Sequence, residues 1–514
     1  MRMRGFIQPV LIGIAGLGFL SISSSAQTAS TTCTGANGTL FNLEPRPDAV
    51  IQAAQSVAFL PNAGVQGVDL IVGTATDMRS IAGSPDGFYV ARSSTNCKAD
   101  LEGGLPFILN IFDDFAPFGS PTVIADPARN AFFIVDLRFG LGTDDEAIGV
   151  VRASVSNLRN ASSCPNGTQA TGSAGCFDSA AAFNIASLNS FQSNPHIAVD
   201  PRITGTGAGD VYTVVTQADP NNTLHTQLFL TACTNVLNCG NSMKISGTDL
   251  EADFGWVQVR PDGVITISYR NTTFPGINPE DIKFITCTPN GAPNAPTCAA
   301  PILVTTEQTP IFASFAGDVP MLDQLYPRHA NRLESDGTTV TTFLVYDRCE
   351  VAVMNFGLAA DFCPKADVVM TSSSDGGRTW SPITKVSNSK GQQFFGQPAM
   401  DNSTGTLNIA YYSTENDPFQ QRAQIFLAQV QAGTTTVSQT KLITTGFADA
   451  AAESPHQVLL SPAGFGDRLG LAAAGTGTLG QSRVYVGFTW NSVFGSYAGV
   501  PMPDMNNHLA QFQY

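Results

Sequence analysis

A small set of chemically versatile side chains recurs at one position of a repeated pattern in this 514-residue chain. The pattern is a polar residue and Pro, or a looser copy of that pair, followed by an apolar strand. The residue after the Pro is Thr122, His196, Trp256, Arg328, Ala399 and His456 in successive copies. Two of the five histidines, one of the three tryptophans and an arginine thus hold equivalent places. Imidazole, indole and guanidinium groups around one pocket suit a carbohydrate or an anionic sugar. Beside them, the run Tyr326-Pro327-Arg328-His329 is dense in functional groups and follows Asp318 and Asp323, while Asp253 precedes Trp256 and Glu453 precedes His456. A carboxylate next to a tyrosine or histidine can serve as acid or base in glycoside cleavage. The candidate catalytic residues are therefore Tyr326, Arg328, His196, His456 and Asp253, and the candidate ligand-binding residues are Trp256, Asp323 and His329. Tyr269-Arg270-Asn271, at the end of a strand, is a lesser candidate of the same kind. The competing explanation is structural: polar strand starts satisfied by neighbouring loops, and carboxylates that cap turns.

The elements that must position these residues are short strands. Ser120-Pro121 leads through Thr122–Ala125 and an Asp126-Pro127 turn into Phe132–Val135, and Asn194-Pro195 leads through His196–Val199 and Asp200-Pro201 into Val211–Val215. Looser copies begin at Gly255, Pro327, Pro398 and Pro455, about 57 to 74 residues apart. Short strands and turn signals repeating at that period predict an all-β fold, a single β-propeller of four-stranded blades. Third strands are expected at Gln227–Thr231 and Asp281–Thr286. A weaker copy near Asp69–Val72 and Gly87–Val90 brings the expected count to seven blades, with six as the alternative. Gln511–Tyr514 is expected to complete a blade begun near the N-terminus. Innermost strands radiate from the propeller axis, so the residues listed above are expected at one channel mouth.

One further segment, Ser373-Ser374-Asp375-Gly376-Gly377-Arg378-Thr379-Trp380, lies between apolar Val368–Met370 and Ile383–Val386 and so joins two strands. Asp375 can accept backbone N–H bonds, the Gly pair can supply positive φ, and Trp380 can pack the turn on the sheet. Its residues Ser373, Asp375, Gly377 and Trp380 match S-x-D-x-G-x-x-W, so the chain resembles the sialidase-like β-propellers, whose repeats carry this Asp box. The resemblance implies a structural turn on the outside of a blade, away from the active site. Active members also carry an Arg-Ile-Pro segment, three arginines for the sugar carboxylate, a Tyr/Glu nucleophile pair and an aspartate acid. No Arg-Ile-Pro occurs here, and Arg79, Arg270 and Arg328 lie in no matching motif. The resemblance therefore carries the fold and leaves sialic acid specificity open.

The N-terminus has Arg2 and Arg4, an apolar run from Phe6 to Leu20 and small residues ending at Ala26, the layout of a secretory signal peptide over residues 1–26. Residues 27–51 read as an extended lead-in and 52–514 as the propeller. Nothing later in the chain matches a membrane span. Charged residues make up 13% of the chain and the formal charge is −15, which disfavours nucleic acid and anionic membranes as partners. Ten cysteines suggest five disulfides, Cys164–Cys176, Cys233–Cys239, Cys287–Cys298, Cys349–Cys363 and, by elimination, Cys33–Cys97. Three of these pairs would fix the hairpin that the Ser373–Trp380 segment fixes in another blade. No C-x-x-C occurs, and no metal or other cofactor is expected. The sequence thus points to a secreted, monomeric propeller with a glycan-directed site. Its possible activities are glycoside hydrolysis, polysaccharide lysis, or non-catalytic binding of glycan or protein. Sequons at Asn37, Asn160, Asn166, Asn221, Asn271 and Asn402 mark surface loops.

Overall fold

The computed structural model describes residues 52–63, 69–77, 87–92, 99–106, 108–109, 114–140, 146–160, 176–183, 192–219, 222–272, 280–307, 313–315, 319–321, 326–350, 365–444, 446–448, 469–475, 482–497 and 500–513. Almost all of these lie in antiparallel sheets arranged as the blades of a β-propeller. The innermost strands are Gln52–Leu60, Asp114–Asp126, Gln192–Val199, Ala252–Val259, Arg328–Leu333, Gln393–Asp401 and Gly470–Ala474. Each contacts the next, and the last contacts the first, so they form a closed ring around an axis.

Among the described residues, six of these sheets are blades of four or five strands, and the sheet begun by Gly470–Ala474 has three, ending in Arg483–Tyr497 and Val500–Gln513. The expectation of seven four-stranded blades is corrected accordingly to six. The first blade is also organised differently from expectation. Leu70–Asp77, which contains the Leu70–Val72 run, is its second strand, with Gln52–Leu60 inside it. The C-terminal strand does not enter that blade; it pairs along the whole of Arg483–Tyr497 in its own sheet. Side chains join the last sheet to the first instead. Arg483 forms an ion pair with Asp69, and Tyr485 donates its hydroxyl to the same carboxylate at 2.7 Å.

The core is distributed between neighbouring blades. The second strands carry apolar runs, Phe132–Val135 and Leu344–Tyr346 among them, because a blade is covered on both faces by its neighbours and most side chains of these strands are buried. Third strands lie at Asn222–Cys233 and Glu280–Thr288, where the sequence places them.

Hairpins after third strands are fixed in two ways. Cys233–Cys239 and Cys287–Cys298 are disulfides between directly opposed residues. Cys176 and Cys349 are also disulfide-bonded, while Cys33, Cys97, Cys164 and Cys363 lie outside the described residues. In the fifth blade the turn from Ser373 to Trp380 does the same work. Asp375 Oδ1 accepts the N–H groups of Arg378 and Thr379 at 3.0 Å each, and Oδ2 accepts the Thr379 hydroxyl at 2.6 Å. Gly376 and Gly377 have φ of 79° and 86°, a region that L side chains rarely adopt. Trp380 Nε1 donates to the Gly377 carbonyl at 3.0 Å, and its ring meets Phe284 of the fourth blade edge-on at 5.3 Å. Among the described residues no helix is long and apolar enough to cross a membrane.

Candidate functional site

The innermost strands enter the ring through a shared irregularity. In four of them a register break begins with a non-glycine residue at positive φ: Ser120 at 54°, Asn194 at 51°, Phe254 at 56° and Phe395 at 56°. Such a conformation costs an ordinary side chain on the order of 1–3 kcal/mol, so something must hold it. Two of these bulges are held by buried or half-buried carboxylates. Asp253 Oδ1 accepts the N–H of Phe254 at 2.7 Å and the Thr216 hydroxyl at 2.6 Å. Asp347 accepts the N–H groups of Phe395 at 2.6 Å and Gly396 at 3.0 Å. Asp347 is fully buried, and desolvation pushes its carboxyl up to about 6 although the Arg328 guanidinium pulls the other way.

The first regularly paired residue after the bulge is Thr122, His196, Trp256 and Gln397 in these four blades, and Ser56 in the first. Pairing therefore makes Gln397, not Ala399, the equivalent of His196 in the sixth blade. There Gly396, like Gly255 in the fourth blade, takes the place of Pro121 and Pro195, and the Pro398 of the sequence pattern lies two residues further on.

These residues line a central channel of about 430 Å³ whose wall takes a segment from every innermost strand. His196 and Trp256 form its aromatic side. Their rings lie 3.6 Å apart between centroids, tilted by 31°, although they belong to different blades. Val257 N–H donates to His196 Nδ1 at 3.2 Å, which leaves the ring proton of the neutral imidazole on Nε2. Trp256 Nε1 donates to the His329 carbonyl at 3.0 Å. Thr122, Gln258, Asn331 and Gln397 add hydroxyl and amide groups to the wall. Among the described lining residues there is no lysine or arginine, and one carboxylate, Asp401, whose oxygens accept from the amide N–H and hydroxyl of Ser403 and the hydroxyl of Thr404.

The remaining candidates stand behind this wall. Tyr326 meets Trp256 edge-on at 6.2 Å, and the Arg328 guanidinium lies 4.3 Å over the Tyr326 ring, so His196, Trp256, Tyr326 and Arg328 form one contiguous chain of contacts. Yet Tyr326 and Arg328 are only 2% and 1% exposed, and neither lines the channel. Arg328 Nη1 donates to the Gly396 carbonyl at 3.1 Å, tying the fifth blade to the sixth. The expectation that both residues face the mouth is corrected: both are buried behind the wall, with Arg328 held in the gap between blades by its bond to the sixth. His329 is also fully buried, with its ring nitrogens 2.8 Å from the hydroxyls of Thr266 and Ser268, and burial pushes it down to about 3. It joins the fourth and fifth blades and is not a mouth residue. Arg270 stacks over Phe254 at 4.4 Å beside Asp253 and Glu280. Asp323, His456, Asp318, Glu453 and Arg79 lie outside the described residues.

Gln258, Asn331 and Gln397 were missed as candidates. Gln258 lies two residues after Trp256, on the alternation that returns a side chain to the channel, a signal available in the sequence. Gln397 needed the bulge to be located first.

No protein-family model matches the chain, and no curated protein matches it. Among solved structures it is similar to a protein of unknown function from Dyadobacter fermentans DSM 18053, at 10% identity over 95% of this chain and 99% of that one, with a TM-score of 0.41. It is also similar to the polysaccharide lyase Uly1, at 11% identity over 86% and 88% of the two chains with a TM-score of 0.45. A PL25 ulvan lyase matches at 11% identity over 74% and 81%, with a TM-score of 0.36. At this level of identity and superposition, neither activity nor ligand transfers from these proteins to this chain.

Proposed function

We propose that this chain is an exported, monomeric, glycan-binding propeller whose ligand enters the central channel beside His196 and Trp256. The observation that carries this is the make-up of the channel wall: an aromatic pair in a largely apolar lining set with a few neutral hydroxyl and amide groups, with the nearby guanidinium of Arg328 withdrawn between blades. Such a wall offers hydrogen bonds to sugar hydroxyls and gives a carboxylate or sulfate no cation to pair with, which favours a neutral glycan over an anionic one. Hydrolysis needs two carboxyl groups on either side of the scissile bond. The described wall offers one, already engaged within its own turn, and Asp253 holds a backbone bulge. Binding without cleavage is thus the better supported role, and hydrolase or lyase activity the lesser one. Disulfides suit an oxidising compartment and agree with export. The Ser373–Trp380 turn supports kinship in fold with the sialidase-like propellers.

Calorimetric titration with neutral and uronic-acid-containing oligosaccharides tests this directly. The expected result is saturable binding of a neutral oligosaccharide, weakened at least tenfold by Gln258→Ala, with no reducing ends released. Binding of acidic oligosaccharides alone, or an affinity indifferent to Gln258→Ala, would overturn the assignment to the channel. Release of new ends would replace binding by catalysis.

A further inference from the structure

The channel beside His196 and Trp256 changes character along the axis. Its first layer, the residues that follow the strand bulges, is polar: Ser56, Thr122, His196 and Gln397 stand around the Trp256 indole. Two residues further along the same strands the lining residues are Ala58, Ile124 and Ala399, with Gln258 the one polar side chain in that layer. Asn331, which also lines the channel, spends its amide inside the fold, donating to Thr266 Oγ1 at 3.1 Å and accepting from the Thr342 hydroxyl at 2.7 Å.

The mouth beyond is proline. Pro61, Pro127, Pro201 and Pro261 stand five residues after Ser56, Thr122, His196 and Trp256 respectively; all four line the channel, and Pro127 and Pro201 are exposed. Proline has no backbone N–H, so this rim offers a ligand ring carbons and no main-chain donor at these positions. A sugar chain running the length of the channel would bring hydroxyls against alanine, isoleucine and proline side chains that cannot bond them, at a cost in lost hydration. A wholly apolar ligand would instead strip water from Thr122, Gln258 and Gln397 and give nothing back. The wall fits a molecule that is polar at one end and apolar at the other.

We propose that the ligand of the channel is a glycoside with an apolar aglycone. Its neutral sugar lies in the first layer beside His196 and Trp256, and the Gln258 amide meets the oxygen that joins sugar to aglycone. The alkyl or aryl tail lies along the alanine layer to the proline mouth, where covering apolar wall drives binding. This rests on the glycan reading of the channel and narrows it, from neutral glycans in general to those that carry an apolar group. The channel volume of about 430 Å³ suits a small molecule of this kind.

Calorimetric titration with methyl and hexyl glycosides of glucose, galactose and mannose, and with 1-hexanol, tests this. Each further methylene of a hexyl glycoside is worth up to about fourfold in affinity when fully buried, so a partly open channel should favour one hexyl glycoside over its methyl counterpart by at least about twentyfold. Ala399→Asp, which sets a charge in the apolar layer, should cut that ratio below about threefold. Pro127→Asp, at an exposed position, makes the same test at the mouth if Ala399→Asp does not fold. Equal affinities for the hexyl and methyl glycosides of every sugar would overturn the proposal and leave the glycan reading standing. 1-Hexanol bound as tightly as the hexyl glycosides would overturn both, because the sugar would then contribute nothing. Failure of every probe to bind would also overturn the proposal, while the oligosaccharide titration with Gln258→Ala decides the glycan reading separately. A ratio unchanged in both variants would place the tail elsewhere and overturn it too.

Discussion

His196 and Trp256 stack with their ring centroids 3.6 Å apart while belonging to different blades, and both are pinned by backbone: Val257 N–H bonds to His196, and Trp256 bonds to the His329 carbonyl. The pair is thus part of the joint between blades as well as of the channel wall. Trp256→Phe keeps a ring but strips the donor from the His329 carbonyl, and should destabilise the protein by about 1–3 kcal/mol. Trp256→Ala should cost about 3–5 kcal/mol. Urea denaturation of the two variants checks the order; equal, small losses would show that the indole is not packed as described.

The Ser373–Trp380 turn should matter for stability and not for ligand. Hydrogen bonds from the Thr379 hydroxyl and backbone, with others from Ser373 and Arg378, hold the Asp375 carboxyl down to about 2. Its folded value lies below the unfolded one, so its contribution is present above about pH 4 and is lost as the pH falls towards 2. The melting temperature of wild type should therefore exceed that of Asp375→Asn at pH 5, with the gap closing by pH 2. Asp375→Ala and Trp380→Ala should also melt lower while binding as wild type does. Lost binding at an unchanged melting temperature would reassign the turn to function.

Asp347 has the opposite sign. Burial raises its folded carboxyl to about 6, above the unfolded value near 4, so the unfolded chain gives up the proton first and the stability from this group falls as pH rises from about 4 to 6. The stability of wild type relative to Asp347→Asn should drop across that window, by about 3 kcal/mol at most, and stay level above it. A difference that does not vary with pH would mean that the carboxylate is ionised throughout in the folded state.

The ring is closed by an ion pair that removal of either partner would expose. Asp69 is fully buried and Arg483 reaches it from the last sheet. Arg483→Ala should destabilise the protein by about 3 kcal/mol, the low end for stranding one buried charge, since Tyr485 still donates to Asp69. Hydrogen exchange should accelerate first in Gln52–Leu60 and Gly470–Ala474, where first and last sheets meet. Uniform acceleration across all blades would show that closure does not depend on this contact.

Much of this architecture is determined locally and is legible in the sequence. Apolar runs such as Phe132–Val135 mark strands buried on both faces, the spacing of Pro and Gly marks the repeat, and the hairpins closed by Cys233–Cys239, by Cys287–Cys298 and by Asp375 need only neighbouring residues. His196 and Trp256 each follow a bulge directly and so stand in the channel wall. What only the tertiary structure decides is which side of a strand faces the axis and how the ring is completed. The same pattern that places Trp256 in the channel wall places Arg328 between blades, where its guanidinium bonds to the Gly396 carbonyl. In the sixth blade it is the bulge that makes Gln397, and not Ala399, the position equivalent to His196. The pairing of the C-terminal strand with its neighbour in sequence and not with the first blade depends on how wedge-shaped sheets fill a full turn. That is a property of the whole ring, and no single repeat carries it.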